Sequence, residues 1–184
     1  MSAVKLKHAS GGAVSITAPE SNPASDRTLY VPSNADGTLL TTSYGPAFFA
    51  RNDNTQSISN GSATKVQFDT QIVDTDNCYD HSTNYRFTPN IAGYYLIVGN
   101  VHVSSTSGTL EVNIYKNGSR FSNLAKNSSG SGGQSLCLTS LVSFNGSSDY
   151  VEIYVYQVSG SSKSLANGTT HALNEFSGSF VRGL

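Results

Sequence analysis

The chain has no tryptophan, a single methionine and two cysteines in 184 residues. Charged side chains make up only 12% of it, 11 basic against 12 acidic. That balance offers no electrostatic footprint for nucleic acid and no polybasic patch for a membrane surface. No apolar run approaches the ~20 residues of a membrane span, and no stretch shows the period of a useful amphipathic helix. The first residues, Met1-Ser-Ala-Val-Lys-Leu-Lys-His8, carry no apolar signal core, so a secretory leader is not expected. Without one, Cys78 and Cys137 are expected to be free thiols. A bridge between them would need their Cα atoms within ~7 Å.

Signs of catalysis are also missing. His8, His81, His102 and His171 are scattered, and none makes a close ligand pair. No Gly-x-Ser-x-Gly elbow occurs. Gly130-Ser-Gly-Gly133 lacks phosphate-loop spacing and a closing Lys-Ser/Thr. The aromatics are not interleaved with basic residues, as single-strand stacking would require. The expectation is a non-enzymatic chain without a cofactor. One polar constellation stands out, Asp74-Thr-Asp76-Asn77-Cys-Tyr-Asp80. Loop carboxylates at such spacing can converge on a hard cation such as calcium, which makes Asp74, Asp76 and Asp80 the metal candidates. The Gly and distal Glu of a calcium loop are absent. Asp and Asn are also the ordinary residues of a solvated turn, and that is the preferred reading.

What is present is Gly, Ser, Thr and Asn in abundance, with short runs of alternating apolar residues. This belongs to many short strands joined by tight turns. The longest run follows Gly93. Tyr94, Leu96 and Val98 share one parity; Tyr95, Ile97, Val101 and Val103 share the other. A strand that is apolar on both parities is covered on both faces. One cover is a sandwich core; the other is a loop, a second subunit or a partner. Ala47–Arg51 and Thr64–Phe68 read as strands, with Val66 and Phe68 inward. Leu110, Val112 and Ile114 alternate with Glu111 and Asn113, and the strand ends in the hairpin signal Asn117-Gly118. Leu136–Phe144, Tyr150–Val158 and residues 175–182 complete the set. Five Asn-x-Ser/Thr matches, four of them Asn-Gly, read as turn chemistry rather than glycosylation. The Ser/Gly-rich loops 127–133 and 159–171 offer no anchoring side chains and are expected to be mobile. Roughly eight to ten antiparallel strands make an all-β sandwich or jelly roll.

Residues 1–45 differ from residues 46–184. They hold short apolar pairs, Val4/Leu6, Val14/Ile16, Leu29/Val31 and Leu39/Leu40, separated by Gly and Pro turns. Tyr30 is the only aromatic before Tyr44. So little bulk cannot support a separate core. The segment is expected to be an extended β attachment piece. It would lie on its own domain, on a neighbouring subunit or on another protein.

The spacing of Phe87, Gly93 and Tyr95 resembles the signature of the C1q-like globular domain, a relative of the tumour necrosis factor jelly roll. Glu175-Phe-Ser-Gly-Ser-Phe-Val-Arg182 is similar to its closing strand. Where that family has a further aromatic, this chain has Ile97. The resemblance spans residues 46–184 and implies an antiparallel jelly roll with aromatic-rich faces around a threefold axis. On Tyr150–Val158, Val151, Ile153 and Val155 suit a core, while Tyr150, Tyr154 and Tyr156 share the other face with Glu152. Large rings with hydroxyls that want partners are typical of an interface. By resemblance the expected homotrimer contact is Tyr150, Tyr154 and Tyr156; Phe176 and Phe180, on one parity of the last strand, are counted with it and could equally pack into the core. The alternative is that the N-terminal segment covers this face.

The wording of Leu6-Lys-His-Ala-Ser-Gly-Gly12, Asp26-Arg-Thr-Leu-Tyr-Val-Pro32 and Gly37-Thr-Leu-Leu-Thr-Thr42 resembles N-terminal segments of bacteriophage virion proteins, including tail fibres of marine phages. This implies a virion structural protein, either a capsid decoration or part of a tail appendage. Its partners would be itself, another virion protein and a host surface receptor or glycan, with no nucleic acid and no membrane insertion. The competing reading is a secreted C1q-like recognition or carbohydrate-binding module. The missing leader and missing collagen-like repeat count against secretion, and the missing tryptophan weakens a sugar platform.

Overall fold

Every regular element among the described residues is a β-strand. The computed structural model describes residues 3–7, 9–17, 45–104, 107–128, 132–166 and 173–184. The chain divides into two compact units, Met1–Thr41 and Thr42–Leu184. In the first, β1 (Ala3–Lys7) pairs antiparallel with β2 (Ala13–Thr17). Gly11 and Gly12 supply the left-handed φ values of 93° and 72° that turn the chain. The register sets Val4 against Ile16 and Leu6 against Val14, so the four residues expected to attach the segment lie opposite one another. Leu29, Val31, Leu39 and Leu40 fall outside the described residues.

The second unit carries β3 (Ala47–Arg51), β4 (Ser57–Ile58), β5 (Thr64–Lys65), β6 (Thr70–Asp74), β7 (Tyr79–Asp80), β8 (Arg86–Phe87), β9 (Ala92–Val103), β10 (Gly108–Lys116), β11 (Ser119–Ser128), β12 (Gln134–Asn145), β13 (Val151–Val158), β14 (Lys163–Ser164) and β15 (Glu175–Gly183). One sheet runs β12-β9-β15-β3-β6; the other runs β11-β10-β13-β8-β7, with β5 also paired to β13. All the strand pairings are antiparallel. This is the antiparallel jelly-roll sandwich expected from the alternation.

Parity decides what each sheet turns inward. Tyr95, Ile97, Val101 and Val103 of β9 are fully buried, as are Leu110, Val112 and Ile114 of β10 and Val151, Ile153 and Val155 of β13. Val66 and Phe68 point inward as well. Burying a side chain of this size contributes about 1.5–3 kcal/mol. At Gly99 the two sheets approach each other closely. A Cβ there would stand 2.7 Å from Ile153 Cδ1, so glycine makes room for the isoleucine of the opposite sheet. The aromatic end of the core is built around Phe48. Its ring stacks on Phe87 at 4.3 Å and on Tyr79 at 4.9 Å, and meets Phe176 edge-on at 4.8 Å. The Tyr79 hydroxyl donates to the Phe68 carbonyl at 2.9 Å, which satisfies its one polar atom inside the core.

Two expectations about loops change. Asn127 and Ser128 continue β11, paired with Thr109 and Gly108. Residues 163–166 are anchored rather than loose. β14 pairs with β4, the Leu165 N–H donates to Gln56, the Ala166 N–H donates to His102, and the Leu165 side chain is buried. That leucine is the anchoring group the Ser/Gly-rich composition concealed. Residues 129–131 and 167–172 lie outside the described residues. The cysteines are both free, Cys78 buried and Cys137 exposed.

Candidate functional site

The outward face of the β12-β9-β15-β3-β6 sheet carries an exposed apolar surface among the described residues of the second unit. Its register aligns side chains from distant parts of the chain. Leu141 lies opposite Leu96, which lies opposite Ser179. In the next row Thr139, Val98, Ser177, Phe49 and Val73 follow one another across five strands. Tyr94 continues the patch, between Ser143 and Arg182. Leu141 is 54% exposed, Val73 44%, Leu96 41% and Tyr94 37%. A polar row, Cys137, Asn100, Glu175 and Arg51, bounds it on one side. An apolar centre with a polar rim is the anatomy of a protein contact. Sequence reasoning noted that Tyr94–Val98 is apolar on both parities, but it did not join this run to Leu141, Phe49 and Val73.

The tyrosine row lies on the outward face of the opposite sheet, and its rings already have neighbours within the protomer. Tyr154 stacks on Tyr115 with centroids 4.1 Å apart. The Arg86 guanidinium sits 4.4 Å above the Tyr150 ring. Tyr156 is half-buried and lies across from Glu111. The nearby charges are paired too. Lys65 reaches Glu152 at 2.8 Å and Arg120 reaches Glu111 at 3.4 Å. Burial raises the Tyr154 pKa, and the Glu152 charge adds to this. Asn113, opposite Tyr154 in register, is fully buried, and neither polar atom of its side chain has a hydrogen-bond partner. Sequence alternation had placed Asn113 on the solvated face.

Of the other two expected interface residues, Phe176 is corrected. It is 0% exposed and packs against Phe48, Phe68 and Tyr79, so it has no surface to give a neighbouring subunit. Phe180 is partly buried, edge-on to Tyr95 at 5.3 Å.

The three candidate metal carboxylates do not converge. Asp74 accepts the N–H groups of Cys78 and Tyr79, both at 2.9 Å. Asp76 accepts the Thr75 hydroxyl at 2.5 Å. Asp80 accepts the N–H groups of Ser82, Thr83 and Asn84 at 3.0, 2.9 and 3.1 Å, and the Asn84 side-chain amide at 2.6 Å. Burial pushes the Asp80 pKa up, but these donors outweigh it and hold the carboxyl well below the usual range. Each acid is engaged in holding its own turn, and no group of His, Cys, Asp and Glu with metal-site geometry occurs among the described residues.

The C1q domain family matches residues 47–181. Among solved structures, the globular domain of zebrafish complement 1qA protein is 17% identical. The alignment covers 77% of this chain and 100% of that one, with a TM-score of 0.56. Murine APRIL at pH 5.0 is 10% identical over 75% of this chain and 100% of its own, with a TM-score of 0.58. The Eiger TNF of S. frugiperda is 7% identical over 76% of this chain and 93% of its own, with a TM-score of 0.55. At these identities the structural likeness is one of fold. No curated protein matches the chain.

Proposed function

Because this chain belongs to the C1q domain family, we propose that it is a non-enzymatic, self-associating recognition and display module. It works as a homotrimer, carried on a bacteriophage virion by its N-terminal segment. The observation that carries self-association is the apolar face of Leu141, Leu96, Val98, Phe49, Val73 and Tyr94 with its polar rim. C1q and tumour necrosis factor domains are typically homotrimers, which supports a threefold arrangement of this face. The interface is therefore assigned to this sheet in preference to the tyrosine row, whose rings and charges are largely engaged within the protomer. The purified chain should sediment as a trimer at micromolar concentration; a monomer there would defeat the proposal.

Attachment through residues 1–45 rests on the phage-like wording of that segment and on its low content of bulky side chains. A chain beginning at Gly45 should remain folded and trimeric yet fail to join its particle. If the truncated chain unfolds, the segment is part of the jelly roll. Antibody label on intact particles distinguishes capsid decoration from a tail appendage. The alternative of a secreted recognition or carbohydrate-binding module draws support from the polar cleft beside the β7–β8 hairpin.

A further inference from the structure

Tyr115 and Tyr154 come together only in the folded sheet. Pairing of β10 with β13 sets Tyr154 opposite Asn113 and Tyr115 opposite Glu152, so the two tyrosines are diagonal neighbours on the outward face. Aromatic side chains are long enough to meet across such a diagonal. The β10–β11 register shifts between Ile114 and Tyr115, and irregularities of this kind re-aim the adjacent side chain. The result is a stacked pair with ring centroids 4.1 Å apart and planes 29° from parallel. Aromatic pairs more often keep ~4.5–7 Å, so these two rings overlap through their faces.

The pair differs from the other aromatic contacts in chemistry and in access. Among the described residues every other ring contact includes a phenylalanine. Tyr79 and Tyr95 are buried, and their hydroxyls donate to the Phe68 and Ile91 carbonyls, both at 2.9 Å. The Tyr150 ring is covered by the Arg86 guanidinium. Tyr115 and Tyr154 are only half-buried, so a small reagent can reach them. They lie on the sheet opposite the proposed trimer face, and assembly through that face leaves them accessible.

We propose that Tyr115 and Tyr154 are an oxidative cross-linking site, forming a dityrosine staple between β10 and β13 when the protein meets a one-electron oxidant of the peroxidase or metal–peroxide class. Each phenol gives one electron to the oxidant and one proton to water. The two phenoxyl radicals then pair their odd electrons in a C–C bond between ring carbons ortho to the oxygens. The unpaired spin of a phenoxyl ring lies in orbitals perpendicular to its plane, so face-to-face contact is the approach that this bond requires. The hydrogen on each joined carbon then moves as a proton to the phenolic oxygen, and both rings are aromatic phenols again. The net change is the loss of two hydrogen atoms, with two electrons taken by the oxidant. The bond closes a loop that contains β11 and β12. Such a closure stabilises mainly by restricting the unfolded chain. The site is built within one protomer and goes beyond both self-association and recognition.

The test is visible-light oxidation of the full chain with tris(bipyridyl)ruthenium and persulfate. Blue dityrosine fluorescence should appear on single denatured chains, with an intact mass two hydrogens below the parent and a yield independent of protein concentration. Peptide mapping should join the segment holding Tyr115 to the segment holding Tyr154. Tyr115→Phe and Tyr154→Phe keep two stacked rings and should each lower the product at least tenfold, while Tyr150→Phe should react like the parent. The cross-linked chain should melt several degrees above the untreated chain. The proposal is overturned if only chain-to-chain products form, if the bond maps to other tyrosines, if Tyr115→Phe yields as much as the parent, or if the mapped product melts no higher than the untreated chain.

Discussion

Gly93 lies directly beneath the ring of Phe180. A Cβ at residue 93 would stand 2.5 Å from Phe180 Cε2 and 2.6 Å from the Arg182 carbonyl oxygen. The first atom belongs to a side chain that can move; the second belongs to the backbone of the neighbouring strand. Gly93→Ala should therefore spread β9 and β15 locally, at a cost of about 1–3 kcal/mol, the usual range for overpacking. Thermal melting checks it. An unchanged midpoint would mean that the ring and strand yield freely, and that glycine here reflects something other than close approach.

The two outward faces make opposite predictions about assembly. Leu96→Lys with Leu141→Lys places two charges at facing positions on the apolar sheet and should shift sedimentation from trimer to monomer. Tyr154→Asp with Tyr156→Asp alters the other sheet and should leave the trimer intact. The loss expected at each leucine is of the order of its burial energy, about 1.5–3 kcal/mol. Reversal of these two results would return the interface to the tyrosine row.

Asn113 has a buried amide without partners, and a buried polar group left unpaired costs about 1–3 kcal/mol. Leucine has the same number of side-chain heavy atoms and the same branch point, and asparagine is a poor strand residue. Asn113→Leu should leave the melting temperature unchanged or raise it. A fall of more than about 1 kcal/mol, beyond the usual scatter of surface substitutions, would reveal a role for the amide.

The turn after β7 should be acid-sensitive. Asp80 keeps its carboxylate ionised because the donors of Ser82, Thr83 and Asn84 outweigh the effect of burial. A carboxyl whose folded pKa is depressed contributes stability above its unfolded value of about 3.9. That contribution is lost as pH falls through the folded value. Protection of the amides of residues 82–84, taken relative to their intrinsic exchange rates, should therefore decline below about pH 4. Asp80→Ala should lower that protection at neutral pH and cost about 1–3 kcal/mol. If parent and variant have the same pH profile, the carboxylate does not hold the turn.

The two thiols should differ in reactivity. Cys137 is exposed on the outward face of β12, whereas Cys78 is buried. Burial pushes the Cys78 pKa up, and the charges of Asp74 and Asp76 add to that against a backbone hydrogen bond with Asn90. The thiolate is the reactive form. A colorimetric thiol reagent should titrate one cysteine per native chain, and none after Cys137→Ser. Two fast thiols would mean that the 74–80 loop opens readily.

Local chemistry was legible one strand at a time. The inward rows of β9, β10 and β13, the Asn117-Gly118 turn between β10 and β11 and the preference for a turn at Asp74–Asp80 all follow from neighbours in sequence. Alternation assigns each side chain to one of two faces, and glycine or asparagine marks where the chain can reverse. The spacing of Phe87, Gly93 and Tyr95 belongs to the same level, since all three sit where the aromatic core and Phe180 come together.

Strand order was not legible, and strand order decides the surfaces. Leu96 and Leu141 become neighbours only because β12 pairs with β9, and Phe49 meets Val73 only because β3 pairs with β6. The same lateral packing buries Asn113 beside Tyr154 and takes Phe176 into the core. It also sets Arg86 across from an Asp80 already saturated by its own turn. Periodicity is a property of one strand, whereas a face is made by several strands in register. The sequence by itself determined which way each side chain points from its strand; only the tertiary structure decided what stands next to it.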